Sequence, residues 1–213
     1  MNIFEYATLL VFSPDIQSKL LSPSLVHDYS LSSREHSLQD IPESPARDHR
    51  LSFATQKSSF PSKGKLKNPA GRAKALHFFA NHELLAVEMM ATAILRFPLD
   101  GEEGEKFRRG LLATISDEQK HFYLYRSRMR ELGCEFGDYP LNDYFWRQFL
   151  KVSDPESFYA LVALTFESAN LDFALYYHDL FKNYGDERSA STLQTVLDDE
   201  ISHVRMGYHW ISR

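Results

Sequence analysis

Cysteine is nearly absent from this chain. Cys134 stands alone in 213 residues, so no disulfide can close within it, and a reducing, cytoplasmic location is expected. Long apolar runs are missing as well: no stretch approaches the roughly 18 unbroken apolar residues that suggest a membrane span. The opening NIFEYATLLVF carries Glu5, has no basic residues before it and leads to no small-residue cleavage site, which argues against a signal peptide. Strand signals are equally scarce, and their absence points to an all-α protein. With 43% apolar and 25% charged residues and a net charge of −5, the composition suits a water-soluble chain long enough for one substantial core.

Composition changes along the chain. Residues 2–21 read as a short amphipathic helix broken at Ser13-Pro14, and from about 22 to 72 periodicity gives way to prolines and serines. This amino-terminal part, 1–72, is expected to be a short helix and an irregular arm, either disordered or wrapped over the rest. The arm's second half is basic: Arg47, Arg50, Lys57, Lys63, Lys65, Lys67, Arg72 and Lys74 face only Asp48. Residues 73–213 carry a helical period instead, interrupted at PLDGEEGE, at a long connection after Gly133 and at NYGDE. The expected fold is a four-helix bundle, with a crossover between helices two and three that holds a short helix in DYFWRQFLKV. Gly133 suits a left-handed helix cap, and Asp154-Pro155 opens the third long helix, expected to run from about 155 to 183.

Two six-residue stretches share a skeleton, SDEQKH at 116–121 and DDEISH at 198–203. With 15 glutamates and nine histidines, one Glu-x-x-His arises by chance about 0.6 times, so a single copy means little. Two copies, each preceded by Asp, are expected in about one chain in a thousand. Residues three apart on a helix differ by about 60° in azimuth, so Glu118 and His121 face one way, as do Glu200 and His203. Each pair can grip a metal ion of the iron, manganese or zinc type, and a two-metal site needs two further carboxylates. Glu167 lies in an otherwise apolar stretch of the third long helix, and the first offers Glu83 and Glu88. Aligning ELLAVEMMATAILRF with ESANLDFALYYHDLF sets Glu83 on Glu167, which favours Glu83 and leaves Glu88 as a supporting, interhelical or solvent-facing residue. Asp117 and Asp199 sit about 100° round the helix from the neighbouring glutamates. They are expected to hold the outer ring nitrogens of the opposite histidines, Asp117 on His203 and Asp199 on His121.

The order Glu, Glu-x-x-His, Glu, Glu-x-x-His over four long helices resembles the ferritin-like di-iron carboxylate superfamily. HELLAVEMMATAILRFP, FRRGLLATISDEQKHFYLY, FGDYPLNDYFWR and ESANLDFALYYHDLF resemble more closely a bacterial ferritin-like family catalogued as domain of unknown function 455. That resemblance implies Glu83 and Glu167 as terminal carboxylates, Glu118 and Glu200 as bridges, and His121 and His203 as terminal imidazoles. The cofactor it implies is a pair of transition-metal ions: iron, or manganese or a mixed iron and manganese pair. Related chains usually continue beyond the fourth helix, so a truncated sequence is one reading of the end at Arg213.

The function expected is an oxygen-activating oxidase or hydroxylase, with a small-molecule or RNA substrate and an electron-donor protein as partners and no membrane association. RNA enters because the superfamily includes a transfer-RNA-modifying hydroxylase and because the arm over 47–74 is basic; a surface-hugging linker is the plainer reading of that arm. Iron storage and a metal-stabilised binding module are the alternatives, and the oligomeric state is left open, a dimer included. His77, His82, His178 and His209 read as structural, and Tyr123, Tyr125, Tyr176 and Tyr177 as core aromatics.

Overall fold

In the computed structural model, residues 1–30, 38–55 and 59–211 are described, with the side chains at 163–165, 167, 169 and 202–211 lying outside that description. Helix α1, Ile3–Phe12, begins at a reciprocal cap: Glu5 N donates to Asn2 Oδ1 (2.8 Å) and Asn2 N to Glu5 Oε2 (3.1 Å). It ends before Ser13-Pro14, and α2, Ile16–Lys19, restarts on an Asp15 cap. Two long helices follow the arm. Helix α3, Pro69–Arg96, starts on proline, which needs no amide partner in a first turn, and at 28 residues is about 42 Å long. Helix α4, Gly101–Glu131, stops where Gly133 takes a left-handed φ of 81°.

The connection then carries the short α5, Tyr144–Phe149. The third long helix spans the expected residues, 155 to 183, but changes its hydrogen bonding along the way. It consists of α6, Pro155–Tyr159, an eight-residue π-helical stretch, Ala160–Glu167, and α7, Ser168–Asn183. Helix α8, Glu187–Ile211, opens on Asp186, whose Oδ1 accepts from Ser189 N at 3.0 Å. Among the described residues there are isolated bridges, Asn2 with Asp28 and Phe53 with Leu141, but no strands. The fold is all-α, a ferritin-like helical bundle built on the long paired helices α3 and α4 and preceded by a short helix and an irregular arm.

The chain groups into two compact units. The first comprises Met1–Ser52, His82–Lys120 and Asp143–Pro155. Its core includes Phe4, Tyr6, Leu10, Phe107, Trp146 and Phe149, all 0 to 1% exposed. Described residues of the amino-terminal part are bonded into it. Trp146 Nε1 donates to Pro42 O (3.2 Å) and Glu43 O (3.1 Å), and Gln119 Nε2 donates to Lys19 O and Leu21 O at 3.0 Å. Glu88 is fully buried and takes Lys19 Nζ on Oε1 at 2.9 Å and Arg47 Nη2 on Oε2 at 2.6 Å, which settles its place as an internal ion-pair centre. Burial lowers the Lys19 pKa, against the pull of Glu88.

The second unit comprises Phe53–Asn81, His121–Asn142 and Glu156–Arg213. Asp186 gathers Arg72 Nε (2.6 Å) and Arg128 Nη2 (2.8 Å) beside its cap on α8. His77 Nε2 accepts from Gly137 N (3.0 Å) and Tyr139 N (3.4 Å), clipping the post-α4 loop to α3. Two arginines of the basic segment, Arg47 and Arg72, are therefore internal ion-pair partners, while Lys63, Lys65 and Lys67 remain exposed. Helix α3 is also long and apolar enough to cross a membrane, although it contains no unbroken apolar run of that length. Its most apolar stretch is 89% buried inside the protein, as a core helix would be.

Candidate metal centre

Helix α4 sets the frame of the site. Glu118 and His121 lie one turn apart on its unbroken α-helix and are 1% and 0% exposed. Glu83 comes from α3 and Glu200 from α8, 3% and 0% exposed. Each of the four offers one ligand atom, and these atoms all lie within 4.8 Å of one another. Three carboxylates at that spacing repel by about 3.5 kcal/mol per pair at an effective dielectric constant of about 20. Burial adds a desolvation cost to each charge, so the arrangement favours a cation at its centre.

The imidazole is oriented by its two nitrogens. His121 Nε2 lies 3.0 Å from Asp199 Oδ2, and Nδ1 lies 3.8 Å from Glu200 Oε1. With Asp199 accepting, the proton sits on Nε2, and the Nδ1 lone pair is directed to the carboxylate side. Oxygen donors with one imidazole suit a divalent transition metal such as iron, manganese or zinc. The donor set therefore fits a metal ion, and Glu83, Glu118, His121 and Glu200 would hold it.

Not every predicted ligand joins the described cluster. The side chains of Glu167 and His203 lie outside the described residues. Glu167 closes the π-helical stretch, and His203 follows Glu200 by three residues in α8. Asp117 is partly buried, and its proposed partner His203 is among the undescribed side chains. Glu88 belongs to the Lys19 and Arg47 ion pairs instead.

Other polar residues have structural environments. Burial pushes His77 down to about 4 and His82, packed at 4.3 Å on the Phe145 ring, down to about 3. A small niche lined by Ser59, Lys74, His77, Asn81, Tyr139 and Asn142 contains none of the four clustered donors. The aromatic expectation needs correcting in part: Tyr125 is buried, but Tyr123 and Tyr176 are 48% and 49% exposed, so they are not core residues. Sequence reasoning also missed the buried role of Lys19, for which no local signal exists, and the π-helical stretch.

A family model described as protein of unknown function (DUF455) matches residues 12–213. An uncharacterized protein of Haemophilus influenzae is 27% identical over 182 residues, covering 81% of this chain and 63% of its own length. The chain thus spans less than two thirds of that curated relative. No solved structure matches it.

Proposed function

Because the chain belongs to the DUF455 family, whose description assigns no chemistry, its activity must be inferred from the site, and we propose that it is a di-iron carboxylate oxidase or hydroxylase. The observation that carries this reading is the buried cluster of Glu83, Glu118, His121 and Glu200. The doubled Glu-x-x-His pattern supports a second ion, with Glu118 and Glu200 bridging, Glu83 and Glu167 terminal, and His203 matching His121. Two bound ions would supply redox chemistry with dioxygen that carboxylates and imidazoles cannot provide alone.

The protein's own contribution is orientation and exclusion of water. Asp199 holds the Nε2 proton of His121, and the burial of all four donors keeps solvent from competing for the site. The substrate is a small molecule or an RNA nucleoside, and a separate donor protein supplies electrons. We place the activity in the cytoplasm. Burial pushes the Cys134 thiol up to about 11, so no reactive thiolate competes with the metal chemistry.

Metal analysis of protein purified without chelator tests the reading directly. Two ions per chain are expected, with iron predominant; manganese or a mixed pair would change the metal assigned but keep the architecture. Glu118→Ala and Glu200→Ala should each lower occupancy of both positions, and unchanged metal content in both variants would sink the two-metal reading. Rapid oxygen uptake by the ferrous form is expected, whereas steady accumulation of many irons per chain would indicate storage.

A further inference from the structure

A line of aromatic rings leaves the neighbourhood of His121 and ends at the surface. Tyr125 is one turn beyond His121 on α4, so the two share a helix face, and its side chain is 3% exposed. The Tyr125 ring centroid lies 5.6 Å from Phe79, Phe79 lies 5.4 Å from Tyr177, and Tyr177 lies 5.0 Å from Tyr176. Phe60 supports the middle of the line, 5.6 Å from Phe79 and 5.1 Å from Tyr177. Ordinary core packing accounts for the buried end. Tyr176, the residue before Tyr177 on α7 and about 100° round the helix from it, brings the line out to a phenol that is 49% exposed.

We propose that Tyr125, Phe79, Tyr177 and Tyr176 form a relay that carries oxidising equivalents from the metal centre to the surface, with Tyr176 as its exit. The inference rests on the metal reading above, and the oxidant it requires is dioxygen reacting at bound ferrous iron. In the absence of substrate, Tyr176 gives up one electron and releases its phenolic proton to water, leaving a neutral phenoxyl radical. The electron moves inward through Tyr177 and Tyr125 and fills one oxidising equivalent left at the centre by the reaction with dioxygen. Phe79 has no phenol to oxidise and serves as the bridge between the two tyrosines. Such a route diverts damaging equivalents from the ligands, or delivers them to a reductant docked at Tyr176.

The test uses full-length protein loaded anaerobically with ferrous iron, then exposed to oxygen with a nitroso spin trap. Radical formation is followed by electron paramagnetic resonance, and trap adducts are mapped by mass spectrometry after digestion. The wild type should carry the adduct on Tyr176. Tyr123, equally accessible at 48% exposure but with Phe122 as its nearest ring partner at 6.2 Å, should remain unlabelled. Tyr177→Phe should lose most of the Tyr176 adduct, because a phenol is removed from the middle of the line while the ring's shape is kept. Tyr176→Phe, at an exposed position, should lose that adduct entirely with iron content and oxygen uptake unchanged. If iron is bound and oxygen consumed, an absent Tyr176 adduct, equal labelling of Tyr123, or an undiminished adduct in Tyr177→Phe overturns the relay alone. Failure of the wild type to retain ferrous iron overturns the metal reading, and the relay with it, since the inner end would then have no oxidant.

Discussion

At His121 two nitrogens meet two acids with different tasks. Asp199 takes the outer nitrogen at 3.0 Å, while Glu200, the next residue of α8, approaches the inner one. Asp199→Asn keeps the side-chain size but exchanges an ionised acceptor for a neutral amide. Loss of such a supporting contact typically weakens metal affinity about 10- to 100-fold. Competition with a coloured chelator should show that loss, and an unchanged affinity would refute the orienting role. Glu88 is the contrasting case, a buried carboxylate neutralised by side chains rather than by an ion. Lys19→Met would leave it with Arg47 alone, and breaking a buried pair in this way costs about 3–5 kcal/mol. Urea unfolding should register the change; a cost below about 1 kcal/mol, the level of an exposed pair, would contradict the buried arrangement.

The elements show why some features were legible in the sequence and others were not. Helices α3, α4 and α8 announce themselves by period, and the end of α4 by Gly133, which indeed takes the left-handed φ its position suggested; the start of α3 at Pro69 lies a few residues inside what read as the arm. Glu118, His121 and Glu200 were readable because a three-residue spacing fixes their common azimuth before any tertiary contact is known. Glu83 needed the comparison of two helical hairpins. The π-helical stretch was hidden because ALVALTFE has the same apolar character whether its amides bond four or five residues back. Lys19 was equally hidden, since its partner on α3 is remote in sequence.

The clip between α3 and the post-α4 loop has a pH signature. His77 titrates near 6.5 in the unfolded chain and near 4 in the folded one, chiefly because burial disfavours its charged form. The unfolded state therefore binds more protons between these values. Stability is fully present above about pH 6.5 and is lost as pH falls toward 4, by up to about 3 kcal/mol. His77→Gln should flatten the dependence of the urea midpoint on pH over that window. An equally steep dependence in the variant would assign the effect to other groups.

For the molecule as a whole, charge distribution bears on the substrate. Arg47 and Arg72 are spent on internal acids, which leaves Lys63, Lys65 and Lys67 as an exposed basic run. If RNA is the substrate, affinity should fall steeply with salt, and neutralising these three lysines should reduce the logarithmic salt slope by up to about 3. Filter binding across a salt series checks this, and no binding at low salt would restrict the reading to small molecules. The anchoring of the arm also has a temporal side. Lys19 O and Pro42 O meet Gln119 and Trp146 across sequence separations of 100 and 104 residues. At a synthesis rate of about 5–20 residues per second, the nascent arm waits roughly 5–20 s for those partners to be made. During that interval α1 and its neighbours in the arm lack these later partners, Gln119 on Tyr6 among them, so a chaperone that shields emerging chains would find a client segment in this apolar helix.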